Sequence, residues 1–157
     1  MAQLLGTVRI VLLGSVLFFA GALPVAADDS KKMVNAGPDN VAIQGYDPVA
    51  YFTDGAPTKG KPRYAFTWND AEWRFTSAEH RDVFAADPER YAPQFGGFCS
   101  MAMSNGVKVA ADPHAWTIVD GKLYLKVSKQ GVEKFRRNAR EYIERAEENW
   151  VRLKSQE

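Results

Sequence analysis

A single cysteine constrains this chain more than any other feature. Cys99 is the only thiol in 157 residues, so no internal disulfide can staple the fold and a hydrophobic core must hold it. An unpaired thiol has three fates: an inert apolar group in that core, a bond to another chain, or use in chemistry. The surroundings of Cys99 keep the third open. Gly96-Gly97-Phe98 lead into it, and Ser100-Met101-Ala102-Met103 follow.

The compartment sharpens the question. Arg9 is the one charge of a short leading region, Ile10 to Leu23 is apolar, and Pro24 precedes the small residues Val25-Ala26-Ala27. This is the layout of a secretory signal peptide, residues 1–27, with the mature chain opening at Asp28. An uncleaved N-terminal anchor is the alternative, although the run is short for a span. The leading segment has no cysteine for a lipid anchor. Export of this style suits the bacterial periplasm, and cleavage would leave no stable membrane span. Cleavage also removes Arg9 and no acid, so a net charge of +1 falls to zero. A neutral chain gives no case for nucleic-acid binding, which needs a basic footprint.

About 130 mature residues make one domain. Asp28 to Asn40 is polar and contains Gly37-Pro38, which predicts a flexible leader (28–40) before a domain over 41–153. Val41 to Phe52 reads as short extended pieces around a turn. Tyr64, Phe66 and Trp68 alternate, as do Trp73 and Phe75, so a hairpin turns at Asn69-Asp70. Ser77 caps a helix to about Ala85 with Val83 and Phe84 inward, and Asp87-Pro88-Glu89 starts a further turn. A short helix is expected from Phe98 to Ser104, ended by Asn105-Gly106. A second hairpin runs from Ala115 to Val127 through Asp120-Gly121. From Ser128 to Leu153, Val132, Phe135, Ala139, Tyr142, Ala146 and Trp150 recur at steps of three and four, which predicts one long helix. The sum is a small single α+β domain, two hairpins packed on short helices under a long C-terminal helix.

Several stretches of the chain resemble the YHS-domain proteins, and more closely their exported branch, the YHS domain-containing (seleno)proteins. They are Ala42-Ile43-Gln44-Gly45-Tyr46-Asp47-Pro48-Val49-Ala50-Tyr51-Phe52, Phe75-Thr76-Ser77-Ala78-Glu79, Ala86-Asp87-Pro88-Glu89-Arg90-Tyr91 and Gly96-Gly97-Phe98-Cys99. Asp112-Pro113-His114-Ala115-Trp116 continuing to Leu125 completes the set. In that branch the position of Cys99 holds cysteine or selenocysteine, which implies a thiol that is used. Metal-handling YHS domains carry further cysteines at positions that fall on Ala50, Thr76 and His80. Those thiols are gone here, and of the Tyr-His-Ser signature only Ser77 remains. The multi-cysteine metal site therefore does not carry over, and His80 stands as a replacement donor.

If a helix begins near Phe98, Cys99 lies in its first turn, where the dipole and free N–H groups favour an accessible thiolate. Such a sulfur attacks peroxides or disulfides, or binds a soft metal. Met101 and Met103 add thioethers, and thiolate with thioether selects Cu(I). On a helix Cys99 shares a face with Met103, while both methionines are also ordinary core fillers. His80 can complete the set, and His114 is a lesser candidate. Tyr46, Tyr51, Trp73, Trp116 and Tyr124 either line a pocket at the thiol or form core. Hydrolase signatures are absent, and Asp47 and Asp112, each before a proline, read as turn and capping residues. Two functions follow, beside a third reading as a structural or partner-binding domain with a buried cysteine. One is a periplasmic soft-metal protein, copper first, with ligands Cys99, Met103, His80 and Met101. The other is a single-cysteine thiol oxidoreductase or peroxide-reactive protein with Cys99 catalytic and an external thiol to recycle it. The partners expected are a metal ion, or a small thiol or peroxide.

Overall fold

The computed structural model describes residues 32–155. The expected signal peptide, residues 1–27, and Asp28 to Lys31 lie outside the described residues. The elements are α1 (Ala50–Thr53), β1 (Lys61–Trp68), β2 (Ala71–Phe75), α2 (Ala78–Ala86), α3 (Pro88–Tyr91), α4 (Ser100–Met103), β3 (Asp112–Val119), β4 (Lys122–Lys126), α5 (Lys129–Arg137) and α6 (Ala139–Lys154). This is a small α+β fold with two antiparallel hairpins, β1–β2 and β3–β4. Among the described residues no helix is long and apolar enough to cross a membrane.

Both hairpins turn where the sequence places them. Asn69 and Asp70 take φ of 48° and 57°, and Asp120 and Gly121 take 50° and 73°. Paired positive φ values match the right-handed twist of the strands they join. Phe66 then lies opposite Trp73, and Thr117 opposite Tyr124. A lone two-stranded hairpin is marginal, so each needs a packed face. Trp73, Phe75, Phe84, Tyr51, Leu123 and Leu125 supply one core, and all are essentially sealed from solvent. Phe95, Phe98, Met103, Tyr124, Phe135 and Ala146 form a second core beneath α5 and α6. Strand β4 separates the two: Leu123 and Leu125 face the first and Tyr124 the second.

The cap of α2 is as expected, with the Ser77 side chain accepting from the His80 N–H. Ser77→Ala should cost about 1 kcal/mol in a urea titration, the ordinary loss for a serine N-cap. Asp87 caps α3 in the same way, accepting from the Arg90 N–H with Pro88 at the first helical position.

Four expectations are corrected. The long C-terminal helix is present as α6, but the single helix expected from Ser128 to Leu153 is divided into α5 and α6, because Asn138 leaves helical geometry at φ −136° and ψ 40°. Val49 to Phe52 is not extended: the Asp47 carboxylate caps the Val49 and Ala50 amides and starts α1. Val83 is exposed, and Phe84 alone carries the apolar face of α2. The leader is packed from its first described residues onward. Val34 is buried, the Asn35 N–H donates to the Gly96 carbonyl at 2.8 Å, and the Asn35 side chain donates to the Gly97 carbonyl at 3.1 Å. This strap requires the two glycines. Gly96 and Gly97 take φ of 62° and 84°, and a Cβ on Gly96 would collide with the Met33 carbonyl.

Candidate functional site

Cys99 follows directly from the strapped Gly96-Gly97 turn. It caps α4 instead of standing in its first turn, since the helix proper is only Ser100–Met103. Its N–H donates to the Val109 carbonyl at 2.8 Å, and its carbonyl accepts from the Met103 N–H at 2.9 Å. A parallel bridge joins it to Leu125, and the Ser100 hydroxyl donates to the Leu125 carbonyl at 3.0 Å. The expected accessible thiol is in fact buried, at 2% exposure.

The sequence reading missed the buried lysine that follows the residue bridged to Cys99. Lys126 follows Leu125 and is fully buried. Its Nζ lies 3.8 Å above the Phe135 ring centre and donates to the Tyr124 carbonyl at 3.2 Å. No carboxylate among the described residues forms an ion pair with it. Burial pulls the ammonium down from its ordinary value to about 7. A charged Cys99 works against that shift, and Arg136 adds to it. Arg136 is itself held on the Thr117 hydroxyl at 3.3 Å. Cys99 is thus bridged to the residue that precedes a buried lysine.

The other expected ligands are distributed. Met103 is fully buried in the second core, whereas Cys99 belongs to the first. Met101 is half-buried and packs against both. His80 belongs to a separate cluster. Its Nδ1 is 2.7 Å from Asp47 Oδ2, its Nε2 is 3.4 Å from Thr53 Oγ1, and Thr76 Oγ1 lies 3.2 Å from Nδ1. His114 meets the Tyr46 hydroxyl at 2.8 Å through its Nε2. Among the described residues no three His, Cys, Asp or Glu side chains are grouped as a metal would need. Tyr51, Trp73 and Tyr124 are core.

Asp47 is the hub of the His80 cluster. It is fully buried, and its carboxylate accepts five hydrogen bonds: the amides of Val49, Ala50 and Thr76, the Thr76 hydroxyl and His80 Nδ1. The three positions that the YHS resemblance aligns with metal-binding cysteines, Ala50, Thr76 and His80, therefore all bond to this carboxylate. Asp112 opens β3 and makes a turn-type bond, accepting from the His114 N–H at 2.9 Å.

No family model, curated protein or solved structure matches this chain.

Proposed function

We propose that this chain is an exported thiol protein whose Cys99 is oxidised by small peroxides and restored by an external thiol. One observation carries the reading: Cys99 is bridged to Leu125, the residue before the buried Lys126, and Arg136 acts on the same lysine. A charged Cys99 and the Lys126 ammonium attract each other, and the thiolate is the nucleophile of such a reaction. The same ammonium opposes a metal ion at the same point. The thiolate attacks one peroxide oxygen, the O–O bond breaks, and hydroxide leaves to take up a proton as water. The product is a sulfenic acid. An external thiol then displaces water to form a mixed disulfide, and a second thiol releases Cys99. The YHS resemblance, with selenium at this position in some relatives, points the same way.

Copper binding is the second reading, favoured by the half-buried Met101 thioether that packs on the first core alongside Cys99. The two separate in one experiment. With hydrogen peroxide the native protein should lose its thiol and yield a sulfenic acid trapped by dimedone. Cys99→Ser should trap none, and Lys126→Met should react about tenfold more slowly. Cu(I) binding above background that is lost in Cys99→Ser, with no sulfenic acid formed, would establish copper instead. Export is tested by sequencing the secreted protein's N-terminus, which should begin at Asp28.

A further inference from the structure

We propose that Thr53 is an activated hydroxyl, with His80 its general base and Asp47 the residue that positions the base, forming a second site able to accept an acyl group. The argument begins with the buried carboxylate. Asp47 only accepts, so His80 Nδ1 carries the proton of the 2.7 Å bond and Nε2 is left as an acceptor. Nε2 lies 3.4 Å from Thr53 Oγ1, and Thr53 is exposed at the end of α1. A nucleophile, a base and a group orienting the base thus stand in line, contributed by α1, α2 and the turn before α1.

Thr53 has one hydroxyl hydrogen and three acceptors in reach: Asp54 Oδ1 at 2.9 Å, the Val49 carbonyl at 3.3 Å and His80 Nε2. Rotation about the threonine side chain moves the hydrogen from Asp54 to Nε2. An activated ester then reacts as follows. Oγ1 bonds to the acyl carbon as its proton passes to Nε2, the leaving alkoxide or phenoxide departs, and His80 returns the proton to it or to water. Nothing in this step uses Cys99.

The test treats the full chain with p-nitrophenyl acetate and maps the acetyl group by peptide mass. Thr53 should be acetylated with release of one equivalent of nitrophenolate. His80→Gln should slow labelling at Thr53 by about 100-fold or more, the usual scale for a positioned base. Thr53→Val should remove that label, Thr53→Ser should keep it, and Asp54→Asn should leave it in place. Near-ultraviolet dichroism checks that each variant is folded. No acetyl on Thr53 in the parent chain, or equal labelling in His80→Gln, overturns the proposal. Loss of labelling in Asp54→Asn while His80→Gln retains it would assign the base to Asp54 and overturn it equally.

Discussion

Asp47→Ala should destabilise the protein by about 3 kcal/mol, the upper end for leaving buried donors without their acceptor. Five donors converge on this fully buried carboxylate, and three are backbone amides that cannot turn away. Removing it leaves them buried without acceptors and uncaps α1. It also frees His80, which links α2 to the end of β2. Asp47→Asn keeps the shape but turns an NH₂ toward a set of N–H donors, so it should recover only part of the loss. Urea titration at fixed pH measures both. A loss below about 1 kcal/mol for alanine would mean that water replaces the carboxylate, and the hub would be secondary.

Lys126→Met should act in the opposite direction. The side chain is sealed, lies on Phe135, and holds one carbonyl with a group able to donate three hydrogen bonds. Its value falls from 10.5 to about 7 in the folded state, equivalent to a burial penalty on the order of 5 kcal/mol for the charged form. Between about pH 7 and 10.5 the unfolded chain holds a proton that the folded chain lacks, so stability rises with pH across that window. Below pH 7 both states are protonated and the folded state carries the full penalty. Methionine carries no charge at any pH. The variant should therefore gain most at pH 6, by about 1–4 kcal/mol, with the gain fading toward pH 10. Denaturant midpoints at several pH values measure this. A variant less stable than the parent at pH 6 would show that the contacts of the ammonium outweigh its desolvation. If peroxide reactivity falls in the same variant, the buried cation is retained for chemistry at the expense of stability.

The hairpins and helix caps were readable because their causes are local. Asn69-Asp70 and Asp120-Gly121 tolerate positive φ, and Ser77 and Asp87 cap helices three residues on. The break at Asn138 was not readable from periodicity. Phe135, Ala139 and Tyr142 continue the steps of three and four across it, and the Phe135 and Tyr142 rings still stack with centres 5.8 Å apart. Cys99 was misplaced by one position. A four-residue helix has room for a cap residue but little first turn, and its length is set by the strap, Val109 and Leu125 rather than by propensity.

Lys126 had a signal that alternation alone obscures. Leu123 and Leu125 claim one face of β4, so Tyr124 and Lys126 share the other. The apolar Val132 and Phe135 of the next helix had to cover something. Covering that face buries the lysine. The Asp47–His80 pair spans 33 residues and had no local signature. The aspartate was legible as a cap, but the histidine that meets it is placed only by the packing of α2.

The strap over Gly96-Gly97 also sets an order of events. Asn35 bonds to a carbonyl 62 residues later, and everything from α1 through α3 lies between. These residues leave the ribosome early and can pair locally with Val41 to Ile43, yet the bonds of Asn35 wait until the glycine turn has been synthesised. Closing so long a loop costs chain entropy before any contact repays it. The start of the domain is therefore among the last parts to dock. A shortened chain beginning at Val41 would carry both hairpins but expose the groove that its own first residues fill.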